Sequence, residues 1–320
     1  MEALCRLVQG LPRDLGAAVL VVLHLPPGST SVLPRILNRC GTLPAAHAGD
    51  GERLLAGRIY VAPPDHHLLV EAGQVRLSRG PKENRARPAI DPLFRSAAAS
   101  YAEAAVGVVL SGSLDDGTVG LIELKRCGGV AMAQDPADSS SSGMPRSAVR
   151  FASPDHVASA DALAGLIADA VKRLADTAPS PETTERAAKV GDPLSRSEGV
   201  TMTSSEPEPG PETAGHRDMV AAVASDPASA REQPGTVSAL TCPECGGTLW
   251  EEQEGDFVRF HCRVGHAYGP ESLDAAQLES LEQSLWAAVV ALQERGDLCL
   301  NLAERFRSRG IDQAARHYEG

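Results

Sequence analysis

The sequence predicts a mainly parallel α/β sheet, followed by a disordered linker, a small metal-binding unit and C-terminal helices. Three observations carry this. Up to about residue 176, short apolar runs alternate with helical patterns, as βαβ units require. From Thr177 to about Ser238 the chain has no Phe, Trp, Tyr or Ile and a single Leu, Leu194, while Pro and Gly recur. Such a segment cannot bury enough apolar area to offset the entropy of ordering its backbone. Beyond it, Cys242, Cys245 and Cys262 crowd into one short stretch with His261 and His266.

The strand-like runs are Ala17–Leu23, Arg58–Ala62, His67–Glu71, Val75–Ser78, Val106–Leu110 and Val130–Gln134. Two of them, His67–Glu71 and Val75–Ser78, flank Ala72-Gly73-Gln74 and read as a hairpin. Helical patterns cover Ser31–Asn38, Ile90–Ala104, Thr118–Lys125 and Ser159–Leu174. From about Ser272 the chain reads as helix. Leu278, Leu281, Leu285, Ala288 and Leu292 follow an a/d spacing that Cys299, Leu302 and Phe306 continue past Arg295-Gly296. A short coiled coil, a helical hairpin and a kinked helix all fit that pattern.

Composition narrows the function. A net charge of −12 and a pI of about 5.2 argue against a generic nucleic-acid binder, because phosphate contacts need clustered Lys and Arg. The longest apolar run, Leu15–Leu23, is too short for a bilayer, so no stable membrane insertion is expected. The start, MEALCRLVQG, lacks a signal peptide's basic region and apolar core, and a cytoplasmic protein is expected. Seven scattered cysteines in such a chain argue against a disulfide framework. Aromatic residues are only 3%, so the core must be built mainly from Ala, Val and Leu.

In parallel sheets, sites form beyond the carboxyl ends of strands. His24 follows the first run, in VLHLPPG, and Asp116 follows Val106–Leu110, in LSGSLDDG. A His and an Asp so placed suit a general base and its orienting carboxylate, although either alone is more often a cap or a packing residue. The surrounding segments say more. VVLHLPPGSTSVLPRILNR, GRIYVAPPDHHLLV, RPAIDPLFRSAA, GVVLSGSLDDGTVGL and AQDPADSSSSGMPRSAV occur in this order. Together, over about residues 2–155, they resemble the catalytic domain of the CheB chemotaxis protein-glutamate methylesterases. The resemblance implies a doubly wound sheet and a Ser-His-Asp triad, with His24 and Asp116 as two of its members. It implies hydrolysis of glutamate γ-methyl esters, and deamidation of glutamine, on a methylated chemoreceptor-like partner. It places the GMPR segment, with Met144 and Arg146, beside substrate access. It implies an oxyanion donor in the Asp turn, where the family's usual Met and Gly are replaced by Ser113 and Leu114. Asp115 occupies a usually non-catalytic position.

The family's nucleophile lies in a strand and turn reading roughly V-V-x-G-A-S-x-G-G, just ahead of the helix that begins here as MEALCRLVQGLP. Residues 1–320 contain no G-x-S-x-G. Ser29, Ser111 and Ser113 are near the site, but none sits on a strand-to-helix elbow. Met1 stands where the family commonly has a residue such as Val, so a GTG codon read as initiator is the expected origin of this start. As written, the chain is expected to lack its first strand, to leave two neighbouring strands with unpaired edges, and to be inactive. Family members often begin with a phosphoacceptor receiver domain, and these residues hold none. The alternative is a catalytically inactive scaffold that binds partners through its metal unit and helix.

Residues 239–268 form the expected metal unit. Cys242, Cys245, Cys262 and His266 make a C-x2-C-x16-C-x3-H set, closed and therefore structural, with zinc as the expected ion. His261 is a rival ligand that an extended strand would turn away. Leu249, Trp250, Phe257, Val258 and Phe260 are expected to pack beside the ion, and the unit to be independent of the esterase region. The esterase region is thus 1–176, the linker 177–238, and the helical tail 269–320, whose partner the sequence does not name.

Overall fold

A computed structural model describes residues 1–177 and 235–318. Apart from its ends, the expected linker lies outside the described residues. The first part is α/β. Its elements are α1 (Glu2–Gly10), β1 (Val19–Val21), α2 (Leu33–Cys40), β2 (Ala45–His47), β3 (Ile59–Val61), β4 (His67–Glu71), β5 (Gln74–Ser78) and α3 (Ile90–Tyr101), followed by β6 (Val106–Val109), α4 (Thr118–Arg126), β7 (Val130–Gln134), α5 (Gly143–Ser147), β8 (His156–Ala158) and α6 (Ala160–Thr177). Strands β2 and β8 and helix α5 carry no clear periodicity in the sequence. Strands β2 and β8 are three residues each, held by parallel neighbours rather than by their own pattern.

Among the described residues the parallel strands form two half-sheets, ordered β1-β3-β2 and β6-β7-β8. Each half pairs internally in parallel, with β1 an edge strand of one and β6 of the other. Apolar clusters on both faces tie the halves together. One joins Tyr60 and Ala62 to Val109 and Ala133, under α3 and α4. The other joins Val21, Ile59 and Val61 to Met132 and Leu163, under α1, α2 and α6. Helices therefore cover both faces, which is the doubly wound arrangement. The expected hairpin is β4–β5, pairing Glu71 with Gln74 around Ala72 and Gly73. Both turn residues have positive φ (48° and 78°), as a two-residue turn matched to strand twist requires.

One expectation is corrected. Cys5 of α1 and Cys40 of α2 form a disulfide. Their separation of 35 residues hides what packing of the two helices creates.

The second part contains β9 (Thr236–Thr241), β10 (Thr248–Glu254), β11 (Phe257–Cys262), β12 (Ala267–Tyr268), α7 (Pro270–Ser308) and α8 (Asp312–His317). The strands form an antiparallel sheet ordered β12-β11-β10-β9. Its small core is Cys242, Leu249, Cys262 and Tyr268 with Leu273 and Ala276 of α7, so the helix completes the unit. Phe257 instead packs edge-on against Phe151 of the first part, at 5.2 Å. Helix α7 runs unbroken through Arg295-Gly296, because one glycine costs a long helix only about 1 kcal/mol. It ends near Gly310 (φ 72°), where α8 folds back and Tyr318 stacks on Phe306. The a/d residues Leu278, Leu281, Leu285 and Leu292 are exposed in the single chain.

Candidate active site and metal centre

His24 leaves the end of β1 and Asp116 the turn between β6 and α4, and the fold brings them together: His24 Nε2 lies 2.6 Å from Asp116 Oδ2. Asp116 is 1% exposed, and its carboxylate has four partners. Oδ2 accepts from His24 and from the Ile90 N–H (2.7 Å). Oδ1 accepts from Asn84 Nδ2 (2.9 Å) and from the Asp91 N–H (3.2 Å). Ile90 and Asp91 open α3, whose first N–H groups have no partner within the helix and favour a negative charge.

These contacts set the protonation states. Burial works against a charged Asp116, but the His24 hydrogen bond and charge, with those from Ile90 and Asn84, outweigh it and hold the carboxyl below its ordinary range. Burial also works against a charged His24. The hydrogen bond and charge of Asp116, helped by Asp91, prevail and raise the imidazole above its usual value. Asp91 is pushed up to about 7 by burial and by the adjacent Asp116 charge. It accepts from Asn84 Nδ2 (2.8 Å) and from the Gly120 N–H (2.7 Å). Asn84 thus bridges two buried carboxylates. With Nε2–H directed at ionised Asp116, the remaining acceptor on His24 is Nδ1, on a side chain 36% exposed.

The neighbouring carboxylate does something else. Asp115 Oδ2 accepts from the Glu271 N–H (3.0 Å) and Oδ1 from the Ser272 hydroxyl, both in the first turn of α7. Burial raises its pKa to about 6.

The turn before these aspartates holds the other expected residues. Leu114 has φ 66°, the left-handed conformation that glycine would take without strain. Ser113 is exposed and its Oγ pairs with Ser141 Oγ at 3.0 Å. Ser111 Oγ pairs with Ser140 and Ser141. Among the described residues no serine hydroxyl is bonded to His24. Met144 is buried against Gly112, and Arg146 is exposed and donates to Ser142 Oγ (2.7 Å). Met144 therefore shapes the turn from beneath, while Arg146 faces solvent. A Cβ on Gly112 would meet Met144 Sδ at 2.1 Å. Gly112→Ala is expected to destabilise the protein by about 1–3 kcal/mol through overpacking, read as a lower midpoint in urea.

Asn84 and Asp91 were not legible as site residues. Asn84 sits in an aperiodic loop, and its φ of 48°, which Asn tolerates better than most residues, is a property of the fold.

In the second part, one ligand atom each from Cys242, Cys245, Cys262 and His266 lie within 4.8 Å of one another, a group that could hold a metal. His266 Nδ1 is 3.6 Å from Cys242 Sγ and 3.5 Å from Cys262 Sγ, and Cys245 and Cys262 Sγ are 3.6 Å apart. Two knuckle turns aim them. The Gly246 N–H donates to Cys242 O and the Gly265 N–H to Cys262 O, both glycines at positive φ (70° and 103°). His261 lies outside the group and stacks on Trp250 at 6.2 Å.

Comparison with known proteins agrees with this arrangement. A protein named protein-glutamate methylesterase/protein-glutamine glutaminase from Yersinia pestis bv. Antiqua is 43% identical over 152 residues, 46% of this chain and 43% of its own length. One of the same name from Symbiobacterium thermophilum is 37% identical over 170 residues, 53% of this chain and 47% of its own. The chain thus spans less than half the length of these curated relatives. The crystal structure of the Thermotoga maritima CheB methylesterase catalytic domain matches with a TM-score of 0.50 and 32% identity, covering 52% of this chain and 91% of that one. The CheB methylesterase family model matches residues 1–167, just over half of the 320. With a His–Asp pair at the strand ends of a doubly wound sheet, the chain belongs to the CheB methylesterase family.

Proposed function

We propose that this protein is a protein-glutamate methylesterase acting on glutamate γ-methyl esters, and on glutamine amides, of a methylated chemoreceptor-like partner in chemotaxis-type signalling. The observation that carries the reading is the buried Asp116 carboxylate held by four donors with His24 at its outer edge. In the mechanism a serine hydroxyl attacks the ester carbonyl. His24 Nδ1 takes the serine proton and returns it to the departing methoxide, releasing methanol. A water then attacks the acyl-enzyme with the same base, and the Glu carboxylate leaves. Asp116 keeps the other nitrogen protonated and stabilises the transient imidazolium. The Ser113 N–H is the candidate oxyanion donor, and Met144 and Arg146 border substrate access.

The reading divides the chain into an esterase region (1–176), a linker (177–238), a metal unit (239–268) and a helical segment (269–320). It places the protein in the cytoplasm, with no role on nucleic acid. No described helix is long and apolar enough to cross a membrane. The metal is read as structural zinc. Thiolates bound at about 2.3 Å to a tetrahedral ion stand roughly 3.7 Å apart, close to the spacings present here, and four protein ligands leave no open position for substrate.

Residues 1–320 supply no G-x-S-x-G. The test therefore joins a strand and turn bearing that motif ahead of Met1 and measures methanol release from a methylated receptor helix. Turnover that depends on the added serine supports the reading. A folded, extended protein with no turnover on ester or amide would sink it. It would favour the scaffold alternative, to which the exposed apolar residues of α7 would then belong.

A further inference from the structure

The metal unit is not a separate appendage. Five consecutive residues of the loop between β5 and α3 are engaged by it and by the α7 helix that follows it. Pro81 packs beside Gly265, so that a Cβ on the glycine would meet Pro81 Cγ at 3.0 Å. Lys82 pairs with Glu244 (2.7 Å). Glu83 is shared between Arg95 of α3 (2.6 Å) and Arg259 of β11 (3.4 Å), and all three are largely buried. The Asn84 N–H donates to Ala267 O (2.8 Å), and Arg85 pairs with Glu279. Residues 82–84 thus run beside β12 as a further, parallel strand segment. A buried charge shared across a junction in this way is costly to separate, because parting the two halves strands ions in a dry contact.

This loop is also the one that reaches the His–Asp pair. Asn84 Oδ1 accepts from the Gly269 N–H (2.8 Å), at the start of α7, while its Nδ2 donates to Asp116 and Asp91. Accepting from Gly269 fixes which end of the amide faces the carboxylates. Asp115, next in chain to Asp116, caps α7 from the other side. Gly269 fits between them because it has no side chain: a Cβ there would meet Asp115 Oδ2 at 2.2 Å and the Phe257 ring at 2.8 Å.

We propose that Asn84 and Asp115 are positioning residues through which the docked Cys3His unit holds Asp116, and hence His24, in the hydrolytic arrangement. The folded, metal-bound unit is then part of the hydrolytic centre, and its release, by loss of metal, loosens the pair. This builds on the esterase reading, but its test needs no turnover.

The experiment follows His24 in the full chain by NMR, its ring signal assigned by absence from His24→Ala. Chelation of the metal is expected to move the His24 titration midpoint down toward that of free imidazole by about half a pH unit or more, as water screens the Asp116 charge. Added Zn2+ should restore it. In Asn84→Gly, which suits the positive φ of that position, chelation should move the midpoint clearly less than in wild type, because one of the two links is already cut and only Asp115 remains. Gly269→Ala, which wedges the junction open and touches neither the metal ligands nor the pair, should reproduce the shift with metal still bound. The coupling is wrong if chelation melts the amide signals of β9–β12 while the His24 midpoint stays put. An equal response in wild type and Asn84→Gly removes Asn84 from the path. A Gly269→Ala midpoint identical to wild type removes the α7 contact from it. None of these outcomes depends on whether the protein hydrolyses an ester.

Discussion

Asp116→Asn is expected to lower ester hydrolysis by roughly 10³–10⁴-fold in a form of the protein that carries the serine. All four groups around this side chain are donors, so a carboxylate satisfies them and an amide cannot. Whichever way the Asn is turned, its NH2 faces two N–H groups. Turned toward His24, it forces the proton onto Nδ1, the nitrogen needed as base. Turned inward, it faces Asn84 and the start of α3. His24→Ala should cost at least as much, because the base itself is gone. Asp115→Asn keeps one acceptor, for the Glu271 N–H, while its NH2 can donate to the Ser272 hydroxyl, which turns to accept, so the variant should stay within several-fold of wild type, through weaker capping of α7. Equal losses at 115 and 116 would overturn the assignment.

The same pair fixes a pH dependence. A base must be neutral, and His24 is raised above 6.5, so activity should rise with pH through a midpoint above 6.5. Stability runs the other way. A histidine raised in the folded state stabilises fully below its unfolded pKa, and that contribution is lost as pH climbs through the folded value. A rate profile flat down to pH 6 would contradict the pair.

Removing the metal is expected to unfold β9–β12 and the first turns of α7. The core there is six buried residues, two of them thiol ligands, which is too little to fold without the ion. Structural zinc binding contributes on the order of 10 kcal/mol to units of this kind, so chelation should abolish amide protection in the sheet. Elemental analysis of protein purified with a reductant should find one zinc per chain. Cys262→Ser and His266→Ala should both weaken binding. Cys299→Ser, far down α7, should not. His261→Ala should leave metal affinity nearly unchanged, because that ring stacks on Trp250 outside the ligand group. Absence of metal, or a reversed ranking of the two histidines, would refute the site.

Much of this was legible because it is local. A strand rich in Val announces itself wherever it lies, and so does a helix whose apolar residues recur at its own period. A CxxC followed by CxxxH carries its geometry in its spacing, since knuckle turns of a few residues aim their own ligands. His24 and Asp116 could be nominated because each follows a readable strand. The short strands β2 and β8 could not, because three residues have no period to show and their stability comes from a parallel neighbour.

What the sequence by itself determined is the class of fold, the Cys3His group that could hold a metal and the two ends of the His–Asp pair. Only the tertiary structure decided how they are joined. It paired Cys5 with Cys40 across two helices. It gave Asp116 to His24 and Asp115 to α7, a division that two adjacent, identical residues cannot signal. It also set Asn84 between the two carboxylates and Gly269, and the metal unit against residues 81–85 rather than free of them. The reason is physical. These contacts join groups remote in the chain, through single hydrogen bonds and buried ions whose energies exist only once water has been excluded, and no periodicity records them.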